Sequence, residues 1–363
     1  MTAHGPVVIA AGGTGGHFFP AEALAAELLA RGKRVVLLTD ARSSAAKSPV
    51  FAQCETHVLP SAGVAGRSLR RALVGLTEIA RGLLSARRIL ARLQPMAVVG
   101  FGGYPSVAPL LAGRSLRHHP LLVLHDQNAV LGRANQFVAR VCDRMALSFP
   151  QTGGLPAGKT GVMTGNPVRP AIIAQAGAAY VPPGEKIYLL VLGGSLGARV
   201  LGRLVPAALA LLPQELRARI ELTMQCPVQE IENAQAVLAQ AGVTAVLAPF
   251  IADVAEKMVQ AQLVIARAGG STVAELAVIG RPAILIPLQI NADQHANAAA
   301  LAAAGGAWVC GQGGLTPEIL REKIETLLMD SEALTKAAAG AAGMGCVDAA
   351  VKLADLVLEG VPA

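Results

Sequence analysis

At 363 residues the chain is long enough for two domains with a sizeable core each, and with only 3% aromatic residues those cores must rest on small aliphatic packing of helices on sheets. The net charge of +7 is uneven: residues 1–165 hold 18 Lys and Arg against 7 Asp and Glu, so a basic first half faces an acidic remainder and points to an anionic partner, whether nucleic acid, anionic lipid or a phosphorylated substrate. The five cysteines form no CxxC pair, which argues against a zinc site or a disulfide framework and for reduced thiols in a cytoplasmic setting.

In chain order, Val7–Ala11 reads as a strand that runs into the turn Gly12-Gly13-Thr14-Gly15-Gly16-His17. A helix carrying Leu24, Leu28 and Leu29 follows. A strand, a glycine turn and a helix start form a corner where backbone N–H groups meet an anion and glycines let it approach. The first Lys or Arg is Arg31, so the early apolar run lacks the basic flank of a signal peptide. Residues 34–40 read as the second strand.

Residues 68–93 read as a helix with Leu69, Leu73, Leu76, Ala80 and Leu83 on one stripe and Arg70, Arg81, Arg88 and Arg92 opposite. That pattern fits a core stripe with a solvated basic face, and also an element resting on anionic lipid. Strands at 97–100 and 121–124 end in Gly102-Gly103-Tyr104 and His125-Asp126-Gln127-Asn128. Residues 144–149 and 161–164 read as the last strands of this half, and Gly165-Asn166-Pro167-Val168-Arg169-Pro170 breaks the pattern.

The second half repeats the alternation. Strands are expected at 187–192, 220–225, 243–247, 263–266, 283–286 and 307–309, with helices between them. Gly193-Gly194-Ser195-Leu196-Gly197-Ala198-Arg199 follows the first of these and Arg267-Ala268-Gly269-Gly270 the fourth, two more anion-binding corners. The uncharged run 296–317 reads as a helix, a turn and a strand rather than a membrane span. A terminal helix over 347–358 places Val347, Val351, Ala354 and Leu358 on one face.

Single motifs decide little. The first glycine turn departs from the dinucleotide fingerprint, whose third glycine position is Phe18, although Asp40 sits where a ribose-binding acid would. Gly193-x-Ser195-x-Gly197 matches a hydrolase nucleophile elbow, with Asp253 and His295 following in the right order. No Walker lysine follows either glycine loop. Glu275 stands three residues past Thr272, as in a capping box with Thr272 as N-cap; its other reading is a carboxylate accepting both ribose hydroxyls. The amides from Gln289 to Asn297 suit a hydroxyl-rich ligand, because an amide both donates and accepts.

The ordered set is specific where its members are not. Gly12–His17, Gly102-Gly103-Tyr104, His125–Asn128, Gly165–Arg169, Gly193–Arg199, Phe250-Ile251, Thr272–Glu275 and Asp293–Asn297 together resemble the MurG family, the peptidoglycan glycosyltransferases that make lipid II, over nearly the whole chain. The resemblance implies an α/β protein of GT-B fold, two Rossmann-like domains with parallel sheets facing across a cleft. It implies an N-terminal acceptor and membrane-facing domain at 1–165, a UDP-GlcNAc-binding domain at 166–345, and a C-terminal helix at 346–363 that could pack back on the first domain.

The implied reaction is inverting transfer of N-acetylglucosamine from UDP-GlcNAc to the C4 hydroxyl of lipid I, an undecaprenyl-diphosphate-linked acceptor, without a cofactor or an obligatory metal. By analogy the Ile251 backbone reads uracil, Glu275 the ribose, Ser195 with Ser271 and Thr272 the diphosphate, and Gln294 the sugar hydroxyls. Thr14, Gly15, Gly16 and Asn128 close on the donor from the first half, Arg169 reaches it from the hinge, and His17 is the candidate base. The implied partners are an anionic membrane surface and no nucleic acid, with the protein a peripheral visitor to the cytoplasmic face of the inner membrane. Two departures stand out: Asp126 replaces a more usual Glu, and Gly270-Ser271 a more usual Ala-Leu. A non-catalytic nucleotide-binding module and a serine hydrolase using Ser195 are the alternatives.

Overall fold

The computed structural model describes residues 5–12, 15–41, 48–60, 69–194 and 199–359, and the side chains of 69–79 and 104 lie outside that description. The chain divides into two compact units, Met1–Arg169 with Asp348–Ala363, and Pro170–Val347. Asn166–Arg169 thus fall with the first unit.

The first unit runs β1 (Val7–Ala10), α1 (Gly15–Ala30), β2 (Val35–Thr39), β3 (Glu55–Val58), α2 (Leu69–Leu93), β4 (Ala97–Gly100), α3 (Tyr104–Arg114), β5 (Leu121–Asp126), α4 (Arg133–Val138), β6 (Arg144–Leu147) and β7 (Val162–Met163). The seven strands form one parallel sheet in the order β3-β2-β1-β4-β5-β6-β7. β1, β2, β4 and β5 are buried along their whole length. That is why they read as unbroken apolar runs: helices cover a parallel sheet on both faces. Phe18, Leu24 and Leu28 of α1 pack on one face with Val7, Ile9, Val99 and Val123. Leu90, Leu110 and Val138, from α2, α3 and α4, pack on the other with Val8, Val98 and Leu122.

The second unit runs α5 (Pro170–Ile173), β8 (Ile187–Leu192), α6 (Arg199–Ala210), α7 (Gln214–Arg217), β9 (Ile220–Gln225), α8 (Val228–Gln240), β10 (Thr244–Ala248), α9 (Val254–Gln260), β11 (Leu263–Ala266), α10 (Gly270–Ile279), β12 (Ala283–Leu285), α11 (Ala292–Ala303), β13 (Ala307–Val309), α12 (Pro317–Leu328) and α13 (Ser331–Ala342). Its six parallel strands lie in the order β10-β9-β8-β11-β12-β13. Leu201 and Val205 of α6, Leu238 of α8, and Leu320 and Ile324 of α12 share one core with β8, β9 and β11.

The chain then returns to the first unit as α14 (Ala349–Glu359), where Leu353, Ala354, Leu356 and Val357 join the core beneath α1. The expected face of this helix holds at Ala354 and at Leu358, which packs against the core, but not at its two valines. Val351 is 41% exposed and Val347, 53% exposed, precedes the helix, because the buried stripe is Ala349, Leu353, Ala354, Leu356 and Val357. The burial of Leu353, Leu356 and Val357 fixes that side, and two contacts accompany it: Arg31 Nη1 donates to Asp355 Oδ1 at 2.5 Å and Arg144 Nη1 to the Leu356 carbonyl at 3.0 Å.

Two more expectations are corrected. β3 was not foreseen, being a short edge strand exposed along most of its length, with the polar sequence Glu-Thr-His-Val. On α2, Ala80 is exposed while Ala86 and Leu90 are buried and Leu83 packs against the core, so the described part of the stripe lies further along the helix. Arg81, Arg87, Arg88 and Arg92 keep a solvated basic face. The side chains of Leu69, Arg70, Arg71, Leu73 and Leu76 lie outside that description, as does Arg67 altogether.

Candidate active site

In each sheet the strand order reverses at one point, β1 beside β4 and β8 beside β11. Ligands of open parallel sheets bind beyond the carboxyl ends of the strands at this reversal. The described residues of the glycine turns and of the His125–Asn128 cluster lie at these carboxyl ends.

In the first unit Gly12 follows β1, Gly102-Gly103 follow β4, and His125-Asp126-Gln127-Asn128 end β5. Gly102 and Gly103 take φ of +89° and +68°, a left-handed turn that L side chains resist. A Cβ at Gly102 would stand 2.8 Å from Asn135 Nδ2 and 3.3 Å from His17 Cε1, so the turn is moulded onto His17. Gly15 is equally committed, because a Cβ there would meet the Phe19 ring at 2.9 Å. Gly15, Gly16 and His17 open α1 and are half-buried; Thr14 lies outside the described residues.

His17 Nδ1 is 2.8 Å from the Phe101 carbonyl and 2.8 Å from the Gln127 side-chain amide. Pairing with a carbonyl requires the proton on Nδ1. That nitrogen then cannot accept from an amide N–H, so the consistent arrangement turns the Gln127 oxygen toward the ring. The neutral imidazole thus carries its basic lone pair on Nε2, the orientation a proton acceptor needs.

Around this ring the rim is tightly tied. Asp126 is fully buried; its Oδ1 accepts from Asn128 N at 2.9 Å and its Oδ2 from Asn135 Nδ2 at 2.7 Å. Asp126 therefore fastens the Asn128 loop and the start of α4, and its shorter side chain serves as a brace. His125 is also fully buried, its ring tilted at 41° against Phe101 with ring centres 5.2 Å apart, and its Nε2–H donates to the Gly165 carbonyl at 3.2 Å. Burial pulls its pKa down to about 4, against the weaker opposing pull of the Gly165 carbonyl, so the ring is neutral at ordinary pH. Arg169 lays its guanidinium 4.7 Å above the Phe19 ring of α1.

In the second unit α10 opens beyond β11. Its N-cap is Gly269 and no side chain caps it, which removes the capping box: Thr272 sits inside the first turn rather than at its cap. Ser271 and Thr272 are half-buried in that turn, and Glu275 is 6% exposed one turn later. A helix start without a side-chain cap, with serine and threonine hydroxyls beside it, can receive an anion. Ile251 is buried in the segment between β10 and α9, next to Phe250, which is 67% exposed. Gln294 is half-buried on α11, and its Oε1 accepts from Leu288 N at 2.9 Å. Its Nε2 is then the group it offers a ligand. Ser195 lies outside the described residues, although Gly194 before it takes φ of +80°.

Residues 7–147 match the glycosyltransferase family 28 N-terminal domain, and residues 188–353 match its C-terminal domain. The chain is 58% identical, over 98% of its own length and 97% of the relative's, to the UDP-N-acetylglucosamine–N-acetylmuramyl-(pentapeptide) pyrophosphoryl-undecaprenol N-acetylglucosamine transferase of Acidiphilium cryptum. The like-named transferase of Granulibacter bethesdensis is 52% identical, with 97% of this chain and 93% of that one covered. The crystal structure of Acinetobacter baumannii MurG superposes with a TM-score of 0.78 at 34% identity, covering 98% of this chain and 99% of that one.

The chain belongs to the MurG family. Its two doubly wound parallel sheets are those of the GT-B fold. For a MurG-family chain the serine hydrolase reading has no support. Asp253 is the N-cap of α9, 3.9 Å from Lys257, and His295 lies exposed on α11. Sequence reasoning named the loop around His17 but missed that Gln127 would touch it, and it missed Asn135 altogether. No local pattern marks a polar residue nine positions after Asp126 as its partner.

Proposed function

We propose that this chain moves N-acetylglucosamine from UDP-GlcNAc to the C4 hydroxyl of lipid I, with inversion, to give the β-linked disaccharide of lipid II. The observation that carries this is 58% identity over 98% of the chain to a transferase named for that reaction. The chain is a UDP-GlcNAc-dependent glycosyltransferase of peptidoglycan synthesis. The reaction is tested by incubating the protein with UDP-GlcNAc and a lipid I analogue and following UDP. Release that requires the acceptor supports transfer; saturation without turnover would leave a binding module.

In our reading the second unit holds the donor. The Ile251 backbone reads uracil, Glu275 accepts from the ribose hydroxyls, the α10 start with Ser271, Thr272 and Ser195 takes the diphosphate, and Gln294 meets sugar hydroxyls. Thr14, Gly15, Gly16, Asn128 and Arg169 complete the donor contacts. The acceptor O4 attacks C1 from the side opposite UDP. His17 Nε2 takes the O4 proton as the C1–O bond to the diphosphate breaks. The departing charge is met by backbone dipoles and hydroxyls already in place.

Glu275→Ala should weaken UDP binding by about 2–3 kcal/mol, the scale for losing hydrogen bonds to a buried carboxylate. Calorimetry that returns an unchanged UDP affinity would remove Glu275 from the ribose.

The acceptor named in the relatives carries a pyrophosphoryl-undecaprenol tail. Among the described residues no helix is long and apolar enough to cross a membrane. We therefore place the protein peripherally at the cytoplasmic face of the inner membrane, drawn by its basic first half at about 1 kcal/mol per Lys or Arg near an anionic surface. Arg81 and Arg88 on α2 lie on the exposed side, and Arg67, Arg70 and Arg71 precede them in sequence. Co-sedimentation should favour anionic over neutral vesicles, weaken with salt, and drop in an Arg67/Arg70/Arg71→Glu variant. Equal binding to both vesicle types would remove the basic segment from this role.

A further inference from the structure

His17 is held by two groups at one nitrogen. Its Nδ1 lies 2.8 Å from the Phe101 carbonyl and 2.8 Å from the side-chain amide of Gln127, 110 residues along the chain. The backbone aims that amide. Asp126 Oδ1 accepts from Asn128 N at 2.9 Å, a turn that closes over Gln127 and leaves it 5% exposed. The other polar atom of the amide is buried with no hydrogen-bond partner among the described residues. An amide buried half unmet costs free energy that an apolar side chain of the same length would avoid. Its side-chain hydrogen bond is with His17, so that contact is where its role lies.

A single acceptor lets an imidazole swing about the Nδ1–H···O line. Two acceptors sharing the same N–H, one backbone and one side chain, fix the plane of the ring. The opposite edge faces the glycine turn: a Cβ at Gly102 would stand 3.3 Å from Cε1 and one at Gly103 3.5 Å from Nε2, so neither residue brings a side chain over that edge. As Nε2 takes a proton the ring becomes a cation and its Nδ1–H bonds strengthen. An amide oxygen favours that cation less than a carboxylate would, which keeps the resting ring in the neutral form a base requires. The charged and titratable groups of the surrounding elements are themselves engaged. Asp126 holds Asn128 and Asn135, neutral His125 donates to the Gly165 carbonyl, and Glu22 on α1 accepts from Ser48 Oγ. Arg169 lies over Phe19, Asp40 after β2 lies against Gly12, and Arg133 at the start of α4 is exposed.

We infer that Gln127 is the positioning residue of the catalytic base: its side-chain oxygen shares the Nδ1 proton of His17 with the Phe101 carbonyl and so holds the Nε2 lone pair toward the acceptor hydroxyl. This rests on the reading of His17 as the base. The proton of O4 passes to Nε2 while O4 bonds to C1 and the electron pair of the breaking C1–O bond leaves with UDP. Gln127 neither gains nor loses a proton.

The test is steady-state kinetics with UDP-GlcNAc and a lipid I analogue, beside UDP calorimetry and a thermal melt, on the full-length parent, Gln127→Met, Gln127→Glu, His17→Ala and the His17→Ala/Gln127→Met double variant. Gln127→Met keeps the length and loses the oxygen; kcat should fall about tenfold, with donor KM, UDP affinity and Tm near those of the parent. Added to His17→Ala it should lower kcat no further, because it acts only through the ring. Gln127→Glu sets a carboxylate against Nδ1–H and favours the imidazolium, so the acid limb of the kcat/KM profile should move to higher pH by about one unit or more. Unchanged kcat in Gln127→Met, or the same fractional loss with His17 present and absent, would overturn the inference, and so would an unmoved acid limb in a folded Gln127→Glu protein. If His17→Ala itself turns over within a few-fold of the parent, the base reading fails and the inference with it; if His17→Ala loses turnover while Gln127→Met does not, the inference alone fails.

Discussion

His17→Ala should fold, bind UDP as the parent does, and lose about 10²-fold or more in turnover, the scale for removing a general base. The expectation comes from the ring's fixed tautomer. With Nδ1–H committed to the Phe101 carbonyl at 2.8 Å, the lone pair is on Nε2. Neutral His125 and the Asp126 brace belong to the same rim, and Arg169 stands over Phe19, two residues along α1. Glu27, Arg31 and Asp355 are tied to one another at the far end of α1. The measurement is kcat from UDP release beside UDP calorimetry and a thermal melt on the same preparation. Turnover within a few-fold of the parent would return His17 to a purely structural place in the loop.

Arg281→Ala should produce a large loss of stability. Five backbone carbonyls lose their donor at once, and a fully buried site cannot replace it with bulk water. Each stranded polar group costs about 1–3 kcal/mol, so a loss of at least about 3 kcal/mol is expected against a typical total of about 5–15. The loss is local in origin. Arg281 holds Ala178 and Ala179 against α9 and the end of α10, while Tyr180 Oη donates to the Gln262 carbonyl and Gln262 Nε2 to the Val181 carbonyl. The segment after α5 is thereby stitched to the second unit. Urea unfolding followed by Trp308 fluorescence should move to a clearly lower midpoint, and Arg281→Lys should not restore it, because an ammonium cannot span the same fork of carbonyls. An unchanged midpoint would mean that the carbonyls find other donors.

The strands were legible because a doubly covered parallel sheet writes itself as apolar runs. Val7–Ala10, Val35–Thr39 and Ile187–Leu192 all announce themselves this way. The glycine turns were legible for a related reason, since a positive φ such as that of Gly102 or Gly194 leaves few residue choices. What stayed hidden depended on partners far along the chain. β3 is held by pairing with β2 and not by its own pattern. The face of α14 is set by packing against the core beneath α1, and it meets Arg31 and Arg144 from more than two hundred residues away. Thr272 looked like a cap because Glu275 stands three residues on, but the backbone of Gly269 had already started the helix.

The most direct test of the account is the structure of the product. Protein, UDP-GlcNAc and a lipid I analogue should yield one mole of UDP per mole of disaccharide, and nuclear magnetic resonance of that disaccharide should show a β anomeric coupling with the bond at O4 of the N-acetylmuramoyl unit. An α linkage, attachment at another oxygen, or UDP formed at the same rate without acceptor would contradict it.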